Sequence, residues 1–236
     1  MKAVNVMTKN VVTVQPETEV REVVRLLLKH RISAIPVIDG EKRILGIVSE
    51  GDLMRRVGGD TNGQHSWWWE EIISAGESAA EYIKSHGRKA GDIMTKAVVT
   101  RLVQTQLHEI ARLLEKHRIK RVPVTRDGVL VGIVSRANLL QGLAAKGAEI
   151  SSSGHSDDQT IRENLLETLS KEAGLNAVYI NVIVNEGIVE IWGIVNSATE
   201  KKAAQVAAEN IPGVKRIENN LVEVSGHPLQ GPLPTD

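Results

Sequence analysis

The sequence predicts an α/β (α+β) chain made of two copies of a β-α-β-β-α unit followed by a smaller αββαβ unit. Three observations predict it: a set of motifs that returns at a constant interval, helical periodicity followed by short apolar runs inside each copy, and a Ser/Gly stretch after which the pattern changes. Met7-Thr8-Lys9 with Val11-Val12-Thr13 returns as Met94-Thr95-Lys96 with Val98-Val99-Thr100, 87 residues later. His30-Arg31-Ile32 with Pro36-Val37 returns as His117-Arg118-Ile119 with Pro123-Val124 at the same interval, and Gly46-Ile47-Val48-Ser49 returns as Gly132-Ile133-Val134-Ser135 at 86. A fixed period marks a structural repeat, and the missing residue implies a shortened turn.

Each element of the repeat has a local cause. Val20, Val23, Val24, Leu27 and Leu28 recur at helical spacing, as do Leu107, Ile110, Ala111 and Leu114, so each copy carries an amphipathic helix. Two apolar runs follow, Ile35 to Ile38 and Ile44 to Val48, around an Asp39-Gly40 turn; the second copy has Val122 to Thr125 and Leu130 to Val134 around Asp127-Gly128. Polar residues then lead into Leu53-Met54 and Leu139-Leu140, which predicts a closing helix in each copy. Units that cannot close a core alone pack on their twin, which predicts a pseudo-two-fold arrangement with two related clefts.

The sequence divides into repeat 1 (residues 1–57), an insertion (58–90), repeat 2 (91–146), a linker (147–156), the αββαβ unit (157–225) and a tail (226–236). Trp67-Trp68-Trp69 lies in the insertion, where successive side chains diverge by about 100° on a helix, so the three cannot share one core and at least one belongs to a surface or interface. Ser151-Ser152-Ser153-Gly154 has linker composition. Beyond it, Ile161, Leu165, Leu166 and Leu169 form a helical face that Gly174 stops, Val178 to Val184 alternates as a strand, and Asn185-Glu186-Gly187 turns into a second strand over Ile188 to Val195. A helix from Asn196-Ser197 through Glu209 and a last strand near Ile217 to Val224 complete the unit, with Gly193 read as allowing close helix approach and Gly213 as a turn.

Composition narrows the function classes. The chain has 236 residues, 42% hydrophobic and 25% charged, and no cysteine, which removes disulfides, thiolate metal sites and cysteine nucleophiles. No run approaches about 20 apolar residues and the first residues lack a signal-peptide core, so no transmembrane segment and a cytoplasmic location are expected. Charge is uneven: residues 1–156 carry 23 basic and 17 acidic residues (+6), and residues 157–225 carry 6 basic and 11 acidic (−5). The first part suits an anionic ligand. Neither a nucleophile elbow nor a Gly-rich phosphate loop is present, and His30 and His117 have no acidic or His partners at metal-ligand spacing, so the expectation is no enzyme and no metal.

The doubled apolar-Pro-Val strand, Gly-Ile-Val-Ser and helix resemble a tandem pair of CBS (cystathionine-β-synthase) domains, a Bateman module, over about residues 1–145. The αββαβ unit, with Gly193 and Gly213-Val214, is similar to a BON domain over about 157–225. The resemblance implies a regulatory, signal-transducing protein that binds an adenosyl ligand in the clefts between repeats: AMP, ADP or ATP above all, in other members S-adenosylmethionine or NAD. In each copy a Ser-x-x-Asp pattern at a helix start places a hydroxyl at the cap and a carboxylate three residues on, suited to ribose hydroxyls. Ser49 and Asp52 fit it; Ser135 and Asn138 replace the carboxylate with an amide, so the two clefts are expected to differ.

By the same resemblance, one cleft joins Lys120 and Arg121 to Ser49 and Asp52, and the other joins Ser33 and Ala34 to Ser135 and Asn138, with Arg136 the nearest cation. The first pairs ribose with two cations for phosphate. Val103 stands where Pro16 of the first copy would recur. The structural alternative makes Ser49 a plain N-cap and Asp52 a favourable first-turn charge. The resemblance also implies a homodimer of CBS modules and a protein or phospholipid partner for the BON unit, whose acidity disfavours an anionic membrane; no nucleic acid is expected. The competing function is a constitutive scaffold whose BON unit binds a partner or the envelope without nucleotide control.

Overall fold

A computed structural model describes residues 1–58, 86–145, 156–176 and 178–224. Trp67-Trp68-Trp69, the Ser151 to Gly154 linker and the tail lie outside these described residues. In chain order the first elements are α1 (Ala3–Val6), α2 (Val20–Lys29), β1 (Ala34–Ile38), β2 (Ile44–Ser49), α3 (Glu50–Gly58) and α4 (Ala90–Ile93). The second copy has β3 (Arg101–Leu102), α5 (Leu107–Lys116), β4 (Arg121–Arg126), β5 (Val129–Ser135) and α6 (Arg136–Ala144). The last part has α7 (Ser156–Lys171), β6 (Ile180–Asn185), β7 (Ile188–Val195), α8 (Ala198–Glu209) and β8 (Arg216–Glu223). The mixed α/β architecture and the αββαβ order are those predicted.

These elements form two compact units, Val12–Val99 with Gly128–Leu130, and Met1–Val11 with Thr100–Asp127 and Val131–Asp236. In the first, Val14 bridges in parallel to Val37, and β1 and β2 pair antiparallel with Ala34 opposite Ser49. Val20, Val23 and Leu27 of α2 close over Ile35, Val37 and Val48, with Ala90 and Ile93 of α4. Leu28, expected on the apolar face, is 70% exposed, because one residue past Leu27 rotates the side chain about 100° off that face. Ala111 in the second copy is likewise exposed, while Ile110 and Leu114 are buried.

Both amphipathic helices end the same way. At the end of α2 the Ile32 N–H reaches Leu27 O (3.0 Å) and the Arg31 N–H reaches Leu28 O (3.2 Å), with Arg31 left-handed at φ 49°. At the end of α5, Ile119 bonds Leu114 O and Arg118 bonds Glu115 O, with Arg118 at φ 50°. This is a Schellman motif, which satisfies orphan carbonyls and turns the chain into the strand. His30 and His117 are the C-caps, and burial with the neighbouring Lys29 charge lowers the His30 pKa. Among the described residues no group of three or more His, Asp or Glu side chains is placed to hold a metal.

The two hairpin turns differ, as the change of interval implied. Asp127 (φ 52°) and Gly128 (φ 82°) make the tight two-residue turn that matches strand twist. In the longer first turn the left-handed residue is Lys42 (φ 62°) rather than Gly40, and the Asp39 carboxylate takes the N–H groups of Glu41 and Arg43 at 2.9 and 2.8 Å.

A further symmetry concerns the segments that precede each copy. Ala3–Val6 and Ala90–Ile93 are single helical turns closed by Asn5 and Asp92, each of which accepts a backbone N–H three residues earlier. After them, Thr95 exchanges both backbone bonds with Ile47 of the first hairpin, and Thr8 exchanges both with Ile133 of the second. Met94 lies on Gly46 and Met7 on Gly132 so closely that a Cβ at either glycine would collide with the thioether. The Met7-Thr8 segment thus folds with the second copy.

In the BON-like part the sheet order is β6-β7-β8, antiparallel then parallel. One sheet face, with Val182, Val189 and Ile191, packs with Ile161, Leu165 and Leu169 of α7 and Ala204, Ala207 and Ala208 of α8. The Glu186-Gly187 turn is held by Asp158 of α7, whose two carboxylate oxygens each accept a backbone N–H at 2.8 Å. The other face carries Ile183 and Trp192 into the core of the second repeat, beside Ala3, Val6 and Met7. Gly193 corrects the reading of close helix approach: its φ is 141°, and its neighbour is the backbone of Tyr179 just before β6, where a Cβ would overlap the carbonyl. Gly193→Ala should therefore destabilise the fold by at least about 2 kcal/mol, read as a lower denaturation midpoint of the full chain.

Candidate functional site

Each repeat builds one polar cluster where its second strand runs into its second helix. In the first, Asp52 on the first turn of α3 accepts the Ser49 N–H (2.9 Å) and the Ser49 hydroxyl (2.6 Å) with one oxygen. Its other oxygen accepts the Thr95 hydroxyl at 3.3 Å. In the second, Asn138 Oδ1 accepts the Ser135 N–H and hydroxyl, both at 2.8 Å, and its own N–H donates back to Ser135 Oγ at 3.3 Å. Asn138 Nδ2 donates to Thr8 Oγ1 and to Gln141 Oε1, each at 3.4 Å.

The second cluster is a capping box, so the structural alternative is realised at Ser135: its hydroxyl satisfies an orphan N–H at the start of α6. Ser49 contributes its hydroxyl as a donor to Asp52. The carboxylate and the amide are 5% and 4% exposed, and each faces a threonine from its Met-Thr segment. Thr8 and Thr95 are site residues the sequence reading missed, although their recurrence was visible in it. The difference between Asp52 and Asn138 is chemical: the carboxylate only accepts, whereas the amide also donates.

The remaining candidates line the starts of β1 and β4. Ser33 and Ala34 sit beside the first cluster, with Ala34 opposite Ser49 and the Glu50 N–H on Ser33 O at 3.0 Å. Lys120, exposed, and Arg121, half-buried, sit beside the second, where the Arg136 N–H reaches Lys120 O at 3.3 Å. The structure therefore gathers Ser33, Ala34, Ser49, Asp52 and Thr95 in one unit, and Lys120, Arg121, Ser135, Arg136, Asn138 and Thr8 in the other. The cross-repeat pairing of Ser49 and Asp52 with Lys120 and Arg121 joins residues of different units. Among the described residues, a groove of about 710 Å³ between α7 and α8 belongs to neither cluster.

Two hairpin-and-helix units of one plan, carrying a Ser-x-x-Asp and a Ser-x-x-Asn cluster, are thus followed by an αββαβ domain. The CBS domain family matches residues 3–59 and 90–145, and the BON domain family matches 157–225. The chain is a tandem CBS-domain protein with a C-terminal BON domain. It is 33% identical over 135 residues to CBS domain-containing protein CBSX1, chloroplastic, of Arabidopsis thaliana, across 54% of this chain and 57% of that one. It is 31% identical over 144 residues to CBSX2, chloroplastic, of the same plant, across 56% of this chain and 58% of that one. The chain thus spans under two thirds of the length of these relatives. A crystal structure of CBSX2 in complex with AMP superposes with a TM-score of 0.53 at 29% identity, over 62% of this chain and 98% of that one. No helix among the described residues is long and apolar enough to cross a membrane.

Two predictions follow from the local chemistry. Asp52→Ala removes the acceptor of the Ser49 N–H and hydroxyl and should cost about 1 kcal/mol of stability in the absence of any ligand, measured by chemical denaturation. Glu190, whose carboxylate accepts the Trp192 Nε1–H at 2.9 Å, has its pKa raised chiefly by burial. The folded state then keeps this proton to higher pH than the unfolded chain does. Stability falls as pH climbs from the ordinary carboxylate range through the raised value, and the deficit is full above it. Glu190→Gln keeps an acceptor and should remove that slope, leaving the variant the more stable at neutral pH in a pH series of denaturation midpoints.

Proposed function

We propose that this protein is a non-catalytic sensor whose CBS repeats bind an adenine nucleotide and whose occupancy is passed to the BON domain. The observation that carries the reading is the pair of equivalent clusters Ser49-Asp52-Thr95 and Ser135-Asn138-Thr8, on a fold shared with a CBS pair solved in complex with AMP. Ribose hydroxyls suit Asp52, a buried acceptor, and Asn138, a buried donor and acceptor. Lys120 and Arg121 supply cations for the phosphate of the ligand held by Ser49 and Asp52; Ser33 and Ala34 take the corresponding role opposite Ser135, Arg136 and Asn138. AMP is the first candidate, ADP and ATP the next.

A ligand changes the arrangement of the protein only by preferring one form over another. Exposed apolar residues on the closing helices, Met54 on α3 (59%) and Leu140 and Leu143 on α6 (66% and 67%), support association of CBS modules into a homodimer. Such a dimer would be seen as twice the monomer mass in sedimentation.

Calorimetry with AMP, ADP and ATP tests the nucleotide reading. Asp52→Ala should weaken one class of sites about tenfold or more, as expected for loss of a buried charged acceptor, and leave the class at Asn138. Absence of heat with all three nucleotides would defeat the reading in favour of a constitutive scaffold.

A further inference from the structure

The BON domain is fastened to the second CBS repeat by a polar latch that runs into the Asn138 cluster. Arg162 of α7, 1% exposed, donates from Nε to Val182 O of its own sheet at 2.6 Å. From Nη2 it donates to Met7 O of the repeat-2 unit at 2.7 Å, and to Asn181 Oδ1 at 3.4 Å. Asn181 in turn gives its two amide hydrogens to Val6 O at 3.1 Å and to Gln141 Oε1 at 2.8 Å. Gln141 Oε1 also accepts Asn138 Nδ2. An unbroken chain of side chains thus joins Arg162 in the BON domain to Ser135 at the proposed ribose cluster, and Thr8, which follows Met7, closes it from the other side.

The inventory of hydrogens is full. Asn138 Oδ1 already accepts twice, and both Nδ2 hydrogens are directed at Thr8 and Gln141. A ligand hydroxyl that meets Asn138 must therefore take Nδ2 from one of these partners. Those bonds, at 3.4 Å, are long enough to be surrendered, whereas the bonds of Arg162 to Met7 O and of Asn181 to Gln141 Oε1, at 2.7 and 2.8 Å, are short. The docked state also carries a cost. Arg162 stays protonated at neutral pH although burial lowers its pKa to about 10, its Nη1 has no hydrogen-bond partner among the described residues, and the adjacent Glu163 is bound to Lys9 at 2.8 Å. A buried guanidinium that bonds carbonyls and an amide instead of a carboxylate is poorly repaid for its lost water, which offsets part of what Ile183 and Trp192 contribute to the contact.

We infer that the BON domain is held on CBS repeat 2 by the Arg162 and Asn181 bonds to Met7 and Val6 and by the Asn181 bond to Gln141, and that a nucleotide ribose at Asn138 releases it by accepting the Asn138 amide hydrogen and donating its own hydroxyl to Gln141 Oε1 in place of Asn181. The coupling half of this inference rests on the nucleotide reading above; the latch half stands on the contacts alone. By linkage, opening the latch tightens the nucleotide at Asn138 by the same factor that the nucleotide weakens docking.

The chain has no cysteine, so Lys9→Cys and Glu163→Cys place nitroxide labels only at the two ends of the surface ion pair that marks docking. That pair is exposed, and its loss costs little. Pulsed electron paramagnetic resonance on the labelled full-length protein should show short distances without ligand. With saturating AMP, a broad longer population should rise from a minor state of below about one tenth to more than about half. Arg162→Met and, as a milder second variant, Asn181→Ala should give the long distances without nucleotide, with the circular dichroism of the chain retained. Calorimetry on the same labelled protein separates the failures. Bound AMP with unchanged distances overturns the coupling and spares the nucleotide reading; absence of AMP binding overturns both. Short distances retained in both latch variants overturn the latch, whatever the nucleotide does.

Discussion

In both units a methionine thioether lies on the glycine of the hairpin's second strand, and the threonine after it pairs with that strand in both directions. This contact depends on Gly46 and Gly132 having no Cβ, and much of the architecture follows from it. It anchors α1 and α4 against the hairpins and closes each core with Val6 or Ile93. It also puts the Thr8 hydroxyl on Asn138 and the Thr95 hydroxyl on Asp52. Without the seat for methionine, the polar clusters would lose one wall.

The two clusters share a plan and differ in one atom type. Where Asp52 offers only lone pairs, Asn138 must commit its oxygen to Ser135 and its hydrogens to Thr8 and Gln141. The amide therefore connects to what lies beyond it. Gln141 has room to link Asn138 with Asn181 because the chain turns on α6, one helical turn further along, so that residues three apart share a face. A single Asp-to-Asn difference between copies thereby gives the second cluster an amide donor through which it is wired to a neighbouring domain.

The BON sheet is buried on both faces over β6, which explains why Ile180 to Val184 are all buried although the strand alternates. One face follows the ordinary logic of a sheet covered by helices. The other mixes Ile183 and Trp192 with Asn181 and the neighbouring Arg162, giving an apolar patch crossed by a polar line. Interfaces of that mixed composition are typical of domains that move relative to each other, since both partners tolerate water when apart.

Local pattern in the sequence determined the repeat, the helix and strand positions, the αββαβ order and the Ser-x-x-Asp/Asn caps, because each depends on periodicity or on residues within four of one another. The glycine roles were less legible. Gly40 looked like the turn residue, yet the left-handed position fell on Lys42, because the Asp39 carboxylate shaped the loop. Gly193 looked like a helix contact and met the Tyr179 carbonyl. Only the tertiary structure decided that Met7-Thr8 folds with the second copy, that Thr8 and Thr95 complete the clusters, and that Arg162 is buried on Met7 O, 155 residues away. Long-range hydrogen bonds have no period, and an arginine beside the apolar face of a helix looks solvated until its partner surface is in place.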